Sequence, residues 1–127
     1  MSGRLASKVV VLARMYGRGE VESMLSRWTS GTPISHDWTG VPVSRNFAPT
    51  RIGRVLDTFE DADGGVHVVV QLDAALVPAN LYEMYLTTGH EIDHVHGGVS
   101  IVRNTDVALC TQSMHKGATP VKLVSPL

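Results

Sequence analysis

The size, composition and charge of the chain indicate a single globular domain. It has 127 residues, of which 43% are hydrophobic and 18% are charged. A chain of this length buries one core but is too short for two independent ones, so we expect one domain over residues 1–127. The formal net charge is −1, which lacks the excess of basic residues typical of nucleic-acid-binding proteins, and we expect no nucleic-acid partner.

The sequence also argues against an internal disulfide and a membrane span. Cys110 is the single cysteine, so no disulfide can form within the chain. No apolar segment approaches the roughly 20 residues that a spanning helix requires, and no signal peptide is apparent. We therefore expect an intracellular protein that needs no membrane and no cofactor.

The first half of the chain predicts a strand, a helix and a loop. A continuous aliphatic run at residues 9–13 indicates a strand buried on both faces. Apolar residues at helical spacing from Val21 to Trp28 predict a short amphipathic helix. Residues 34–38 form a short extended piece, and residues 39–50, with two prolines, are typical of an irregular loop.

The second half predicts mostly strands. Residues 52–59 and 66–72 flank a turn-forming cluster and indicate a hairpin. Residues 76–86 predict a second helix, and residues 121–124 predict a last strand. The expected fold is therefore mainly β, of the α+β class: a small antiparallel barrel or curled sheet flanked by two or more short helices.

Residues 97–110 carry the strongest functional pattern. Apolar residues alternate on both sides of a break at residues 103–105, which predicts two strands joined by a three-residue turn. In that register Ser100 and Asp106 share one face as diagonal neighbours roughly 7–8 Å apart. One imidazole would bridge that gap, so the pattern suggests a nucleophile beside an acid.

Five short segments follow one another along the chain: Ile34-Ser35-His36-Asp37, Ile52-Gly53-Arg54-Val55-Leu56, Val66 to Leu72, Gly98-Val99-Ser100-Ile101 and Val107-Ala108-Leu109-Cys110. In this order they resemble the herpesvirus maturation protease (assemblin) family and the related prohead proteases of tailed phages. The resemblance covers residues 9–122. It implies a short, divergent member with a herpesvirus-protease-like fold.

The resemblance assigns a role to each candidate site residue. It makes His36 the general base and Ser100 the nucleophile. Asp106 stands where the family has a second histidine, which gives a Ser-His-Asp arrangement in which the acid orients the imidazole. The family's oxyanion-hole segment falls on Met114 and His115, although both of its arginines are absent here.

The implied activity is that of a serine endopeptidase of the capsid maturation type. Such an enzyme cleaves the internal scaffolding protein during capsid assembly, so that protein is the expected substrate. The implied location is the infected host cell, in the nucleus if the relationship is to herpesviruses, and the assembling capsid. A homodimer is also implied, although the segment that forms the family's dimer helix has no counterpart here.

Two alternatives remain open. The segment His90-Glu91-Ile92-Asp93-His94 matches His-Glu-x-x-His, and with His96 two residues on it would provide a zinc site in a zinc-dependent peptidase if it were helical. Gly89 before the segment and Gly97-Gly98 after it argue against an uninterrupted helix. The second alternative is a non-catalytic protease-fold module that binds scaffold or capsid protein.

Overall fold

The computed structural model describes residues 7–126, with the side chains of residues 125 and 126 left out of the description. Its elements, in chain order, are β1 (Lys8–Tyr16), α1 (Glu20–Thr29), β2 (Pro42–Arg45), β3 (Arg51–Glu60), β4 (Val66–Asp73), β5 (Tyr85–His94), β6 (Ser100–Cys110) and β7 (Lys122–Pro126). The strands form a single sheet in the order β5-β6-β2-β3-β4-β1-β7. The mainly β prediction is confirmed, as are β1, α1, the β3–β4 hairpin and β7.

The predicted helix at residues 76–86 is wrong. The structure has two short 3-10 turns there, Ala74–Leu76 and Leu81–Glu83, and β5 begins at Tyr85. Pro78 disfavours helical backbone at the residue before it, and the β-branched Thr87 and Thr88 favour a strand that pairs along its length with β6. In residues 7–126, α1 is the one α-helix, and no helix there is long and apolar enough to cross a membrane.

The predicted irregular loop at residues 39–50 contains β2. Its residue Val43 pairs with Val107 in parallel, whereas the other strand pairs of the sheet are antiparallel. The chain therefore reaches β6 from β2 through two hairpin strands and β5, and β6 is inserted between β5 and β2. This insertion buries Val107, Ala108 and Leu109 in the middle of the sheet.

The predicted hairpin within residues 97–110 is also wrong. Residues 100–110 form one unbroken strand, and the turn lies before it, at Gly97 and Gly98. Both glycines have positive φ, a conformation that glycine adopts readily and that this turn uses. Residues 103–105 are extended and form no turn. The polar Asn104 is accommodated in the strand because its amide donates to the carbonyl oxygens of Ser35 and Asp37.

The core lies between α1 and the sheet. Its largest fully buried side chains are Trp38 and Tyr16, and the Trp38 Nε1–H donates to the Tyr16 hydroxyl at 3.0 Å. The amide of Val121, just before β7, donates to the carbonyl oxygen of Met84, just before β5, at 3.0 Å. The two edges of the sheet are therefore drawn towards each other at this end.

Candidate functional site

Ser100 and His94 form a hydroxyl–imidazole pair at the turn between β5 and β6. They are opposite each other in the strand register, and Ser100 Oγ lies 2.9 Å from His94 Nδ1. The same oxygen lies 2.9 Å from the carbonyl oxygen of Trp28, near the end of α1. The hydroxyl carries one proton, so it donates either to Trp28 or to an unprotonated Nδ1 of His94. The second arrangement is the one that a general base requires.

A cleft of about 320 Å³ lies beside this pair. Its walls come from the end of α1, the residues that follow it and the β5–β6 turn; Arg27, Trp28, Gly31, His94, Val99 and Ser100 are among the lining residues. Ser100 is only 6% exposed, whereas His94 is exposed. The largely buried serine therefore borders this cleft, and substrate would approach it from there.

The structure does not place His36 against Ser100. His36 Nε2 lies 2.7 Å from Glu22 Oε2, and His36 Nδ1 lies 2.7 Å from the Tyr16 hydroxyl. Both ring nitrogens are therefore occupied by groups other than the serine. The prediction that His36 is the general base for Ser100 is therefore wrong in this structure. To reach Ser100, the imidazole would have to break its contacts with both Glu22 and Tyr16.

Asp106 does not lie beside Ser100 either. The two residues are on one strand, six positions apart, and a strand rises about 3.3 Å per residue, so they are roughly 20 Å apart. Asp106 lies opposite Gly89, and its Oδ1 accepts a hydrogen bond from Thr105 Oγ1 at 3.0 Å. One imidazole cannot span this separation. The predicted role of Asp106 as third member of the triad is therefore wrong, because it depended on a hairpin that the structure does not contain.

The predicted oxyanion segment lies near the opposite end of α1. Met114 is 67% exposed, and His115 is buried with Nε2 3.3 Å from Thr88 Oγ1. The adjacent amides of Lys116 and Gly117 donate to the carboxylate of Glu20, the first residue of α1. Trp28, which contacts Ser100, is eight residues further along the helix, or roughly 12 Å. The Met114–His115 segment therefore does not border Ser100.

The zinc alternative loses its geometric basis. His90, Glu91 and His94 lie on β5, where residues four apart are roughly 13 Å apart, so His90 and His94 cannot share one ion. Within the described residues, His96 adds no third ligand, and no group of three His, Cys, Asp or Glu side chains is placed to hold a metal.

His90 instead belongs to the interior. Its ring contacts Trp38 edge-on, with centroids 5.2 Å apart, and in residues 7–126 neither buried ring nitrogen has a hydrogen-bond partner. Burial, with a smaller effect of the nearby His115, lowers the pKa of His90 to about 4. His90 is therefore neutral at pH 7.

Two partners in these contacts were missed by the sequence analysis. His94 could have been found, because Gly97-Gly98 is a turn signal that, placed at the centre of a hairpin, sets His94 opposite Ser100. Glu22 as the partner of His36 carries no comparable signal. Its place in the first turn of α1 indicates only a favourable interaction with the helix dipole.

No family model, no curated protein and no solved structure matches this chain. The geometry of the residues is therefore the basis on which the site is interpreted.

Proposed function

We propose that this protein is a serine endopeptidase with Ser100 as the nucleophile and His94 as the general base. The observation that carries the proposal is the 2.9 Å separation of Ser100 Oγ and His94 Nδ1 beside an open cleft. A hydroxyl becomes an effective nucleophile when a neutral imidazole within hydrogen-bond distance accepts its proton. His94 replaces His36 in the role that the resemblance assigns.

The proposed reaction follows the general course of acyl transfer. His94 takes the proton as Ser100 Oγ bonds to the scissile carbonyl carbon, and then delivers it to the amine that leaves as the C–N bond breaks. A water molecule then bonds to the acyl carbon while His94 takes its proton, and that proton passes to Ser100 Oγ as the bond between Oγ and the acyl carbon breaks. Gly31 lines the cleft without a side chain, so its peptide group is open to close approach by substrate.

The resemblance supplies the rest of the proposal. It favours the internal scaffolding protein of a capsid as the substrate, with cleavage in the infected cell or the assembling capsid. The finer fold assignment, a herpesvirus-protease-like barrel, belongs to the same proposal. It is supported by the single seven-stranded sheet and by the hydrogen bond between Val121 and Met84, which join its two edges.

A serine-reactive phosphonate tests the proposed pair directly. We expect covalent labelling of Ser100, mapped by mass spectrometry, that is absent in Ser100→Ala and unaffected by a chelator. The His94→Ala variant should label at least about 100-fold more slowly, the range for loss of a general base. Ser44→Ala is the matched control, because Ser44 is about equally buried but its hydroxyl has no hydrogen-bond partner among the residues that the structure describes.

One observation favours a second function, a non-catalytic module that binds scaffold or capsid protein. Ser100 Oγ is placed to donate to the Trp28 carbonyl, and that bond ties β6 to α1 as a purely structural contact would. Under this alternative Ser100 is not labelled at any phosphonate concentration. Ser100→Ala would then lower the free energy of unfolding, and the protein would still bind a scaffold peptide.

A further inference from the structure

The cleft beside Ser100 is bordered by large apolar side chains that the described protein leaves uncovered. Trp28 is 49% exposed and Val99 is 58% exposed, and both line this cleft. They come from different elements, α1 and the β5–β6 turn, and meet at the pair formed by Ser100 and His94. An aromatic side chain next to an aliphatic one in a concave site commonly binds an apolar group of a ligand.

The charged side chain that lines the cleft is basic. Arg27 lines it and is exposed, and within residues 7–126 it forms no ion pair. The described lining contains no Asp or Glu. The nearest acid along β5, Asp93, is already paired with Arg103. An anionic group in the cleft would thus meet an unneutralised guanidinium and no opposing carboxylate.

We infer that this cleft binds a peptide segment in which an apolar side chain lies next to an acidic one. The apolar group packs on Trp28 and Val99, and the carboxylate faces Arg27. The inference rests on the proposed function, because it places the reacting peptide against Ser100, and it names the substrate class that the site selects.

Binding is measured with the full chain carrying Ser100→Ala, so that the peptides are not turned over. Three fluorescein-labelled peptides of equal length differ at two adjacent positions: Leu-Glu, Leu-Lys and Gly-Glu. Fluorescence anisotropy should give the tightest binding for Leu-Glu, by about fivefold over each of the others, as expected for one exposed charge contact and one apolar contact.

Charge reversal makes the test specific to the cleft. Arg27→Glu should weaken Leu-Glu binding about fivefold and reverse the preference to Leu-Lys. Arg18→Glu is the matched control, since Arg18 is exposed beyond the other end of α1. Trp28→Ala should weaken both leucine peptides, whereas Tyr82→Ala, which removes a ring that is 50% exposed elsewhere, should not.

Two kinds of result would overturn the inference. One is equal affinity for the three peptides, or equal effects of Arg27→Glu and Arg18→Glu. The other is a dimer in sedimentation that Trp28→Ala dissociates and that the peptides do not disrupt, because a second copy would then cover the apolar pair. The proposed peptidase activity fails separately: peptides that bind with the expected charge preference to a protein whose Ser100 is never labelled would refute the activity alone.

Discussion

The carboxylate of Glu22 lies 2.7 Å from Nε2 of His36, and Nδ1 of the same imidazole lies 2.7 Å from the Tyr16 hydroxyl. The order of groups, acid, imidazole and hydroxyl, is that of a catalytic triad. The hydroxyl, however, belongs to a phenol that is 1% exposed, and burial raises its pKa. Tyr16 therefore stays protonated and donates to His36 Nδ1, and this chain of hydrogen bonds joins α1 to the core.

Replacing His36 should affect stability and leave the chemistry at Ser100 intact. We expect His36→Ala to lower the free energy of unfolding by about 1–2 kcal/mol, because the buried Tyr16 hydroxyl loses its acceptor. Urea denaturation measures this effect. Phosphonate labelling of Ser100 should stay within about twofold of the parent rate, in contrast to His94→Ala. A large loss of labelling with unchanged stability would return His36 to the role of base.

Acid should destabilise the protein through His90. Its pKa is about 4 in the folded protein, below the ordinary 6.5, so folding favours the neutral ring. This contribution is fully present above about pH 6.5 and is lost as the pH falls towards 4, with a total on the order of 3 kcal/mol.

Urea titrations between pH 7 and pH 4 measure that loss. His90→Phe should flatten the pH dependence, since the ring that resists protonation is gone. His96→Gln, at an exposed position, should leave the slope unchanged. His115, whose pKa is also lowered by burial, adds a smaller contribution that both variants retain. Equal slopes for His90→Phe and the parent protein would refute this account.

The Glu20 carboxylate should stabilise the segment after β6. Partial burial alone raises the pKa of Glu20, but hydrogen bonds from the amides of Gly17, Gly117 and Lys116 outweigh it and hold the pKa below its ordinary 4.5. The stabilisation is therefore present above pH 4.5 and disappears as the pH falls through the lowered pKa.

A single amide substitution tests this. Glu20→Gln should cost about 1–2 kcal/mol at pH 7, because a neutral amide oxygen is a weaker acceptor for these backbone donors. Thermal or urea unfolding provides the measurement, and Glu83→Gln, at an exposed position, should cost nothing measurable. The difference between Glu20→Gln and the parent should shrink as the pH falls below 4.5 and the carboxylate becomes protonated, and a difference that does not change with pH would argue against a charge effect.

Gly89 should be intolerant of a side chain because of Asp106. A Cβ at Gly89 would clash with Asp106 Oδ1 and lie 3.0 Å from the Asp106 carbonyl oxygen. We expect Gly89→Ala to lower the free energy of unfolding by about 1–3 kcal/mol. Adding Asp106→Ala should recover part of this loss, because the side-chain clash is removed. A simple sum of the two single costs would show that the backbone contact alone matters.

Local pattern was sufficient for much of the fold. The aliphatic run of β1, the helical spacing of α1 and the turn cluster between β3 and β4 each agree with the local chemistry of their residues. The predictions fail where distant pairing decides. Residues 85–88 become strand because β6 lies beside them, and residues 42–45 become strand because residues 107–109 pair with them in parallel.

The site was predictable in part for the same reason. The sequence pattern predicts an imidazole near the Ser100 hydroxyl. In the structure, Nδ1 of His94 lies 2.9 Å from Ser100 Oγ. The pattern does not identify that histidine: the resemblance implies His36, whereas the turn at Gly97-Gly98 places His94 opposite Ser100. Asp106 is lost from the site by the same change, since a continuous strand separates it from Ser100.

The position of β1 in the sheet has a consequence for the kinetics of folding. This strand pairs with β4 on one side and β7 on the other, and Val9 is matched with Pro126 across nearly the whole described chain. Contacts between residues so distant in sequence require the closure of a large loop, and the entropy of that closure is lost before the contacts stabilise the chain. We therefore expect the β3–β4 hairpin to form early and the β1–β7 pair to form last, with folding in the slow range typical of mainly non-local β proteins.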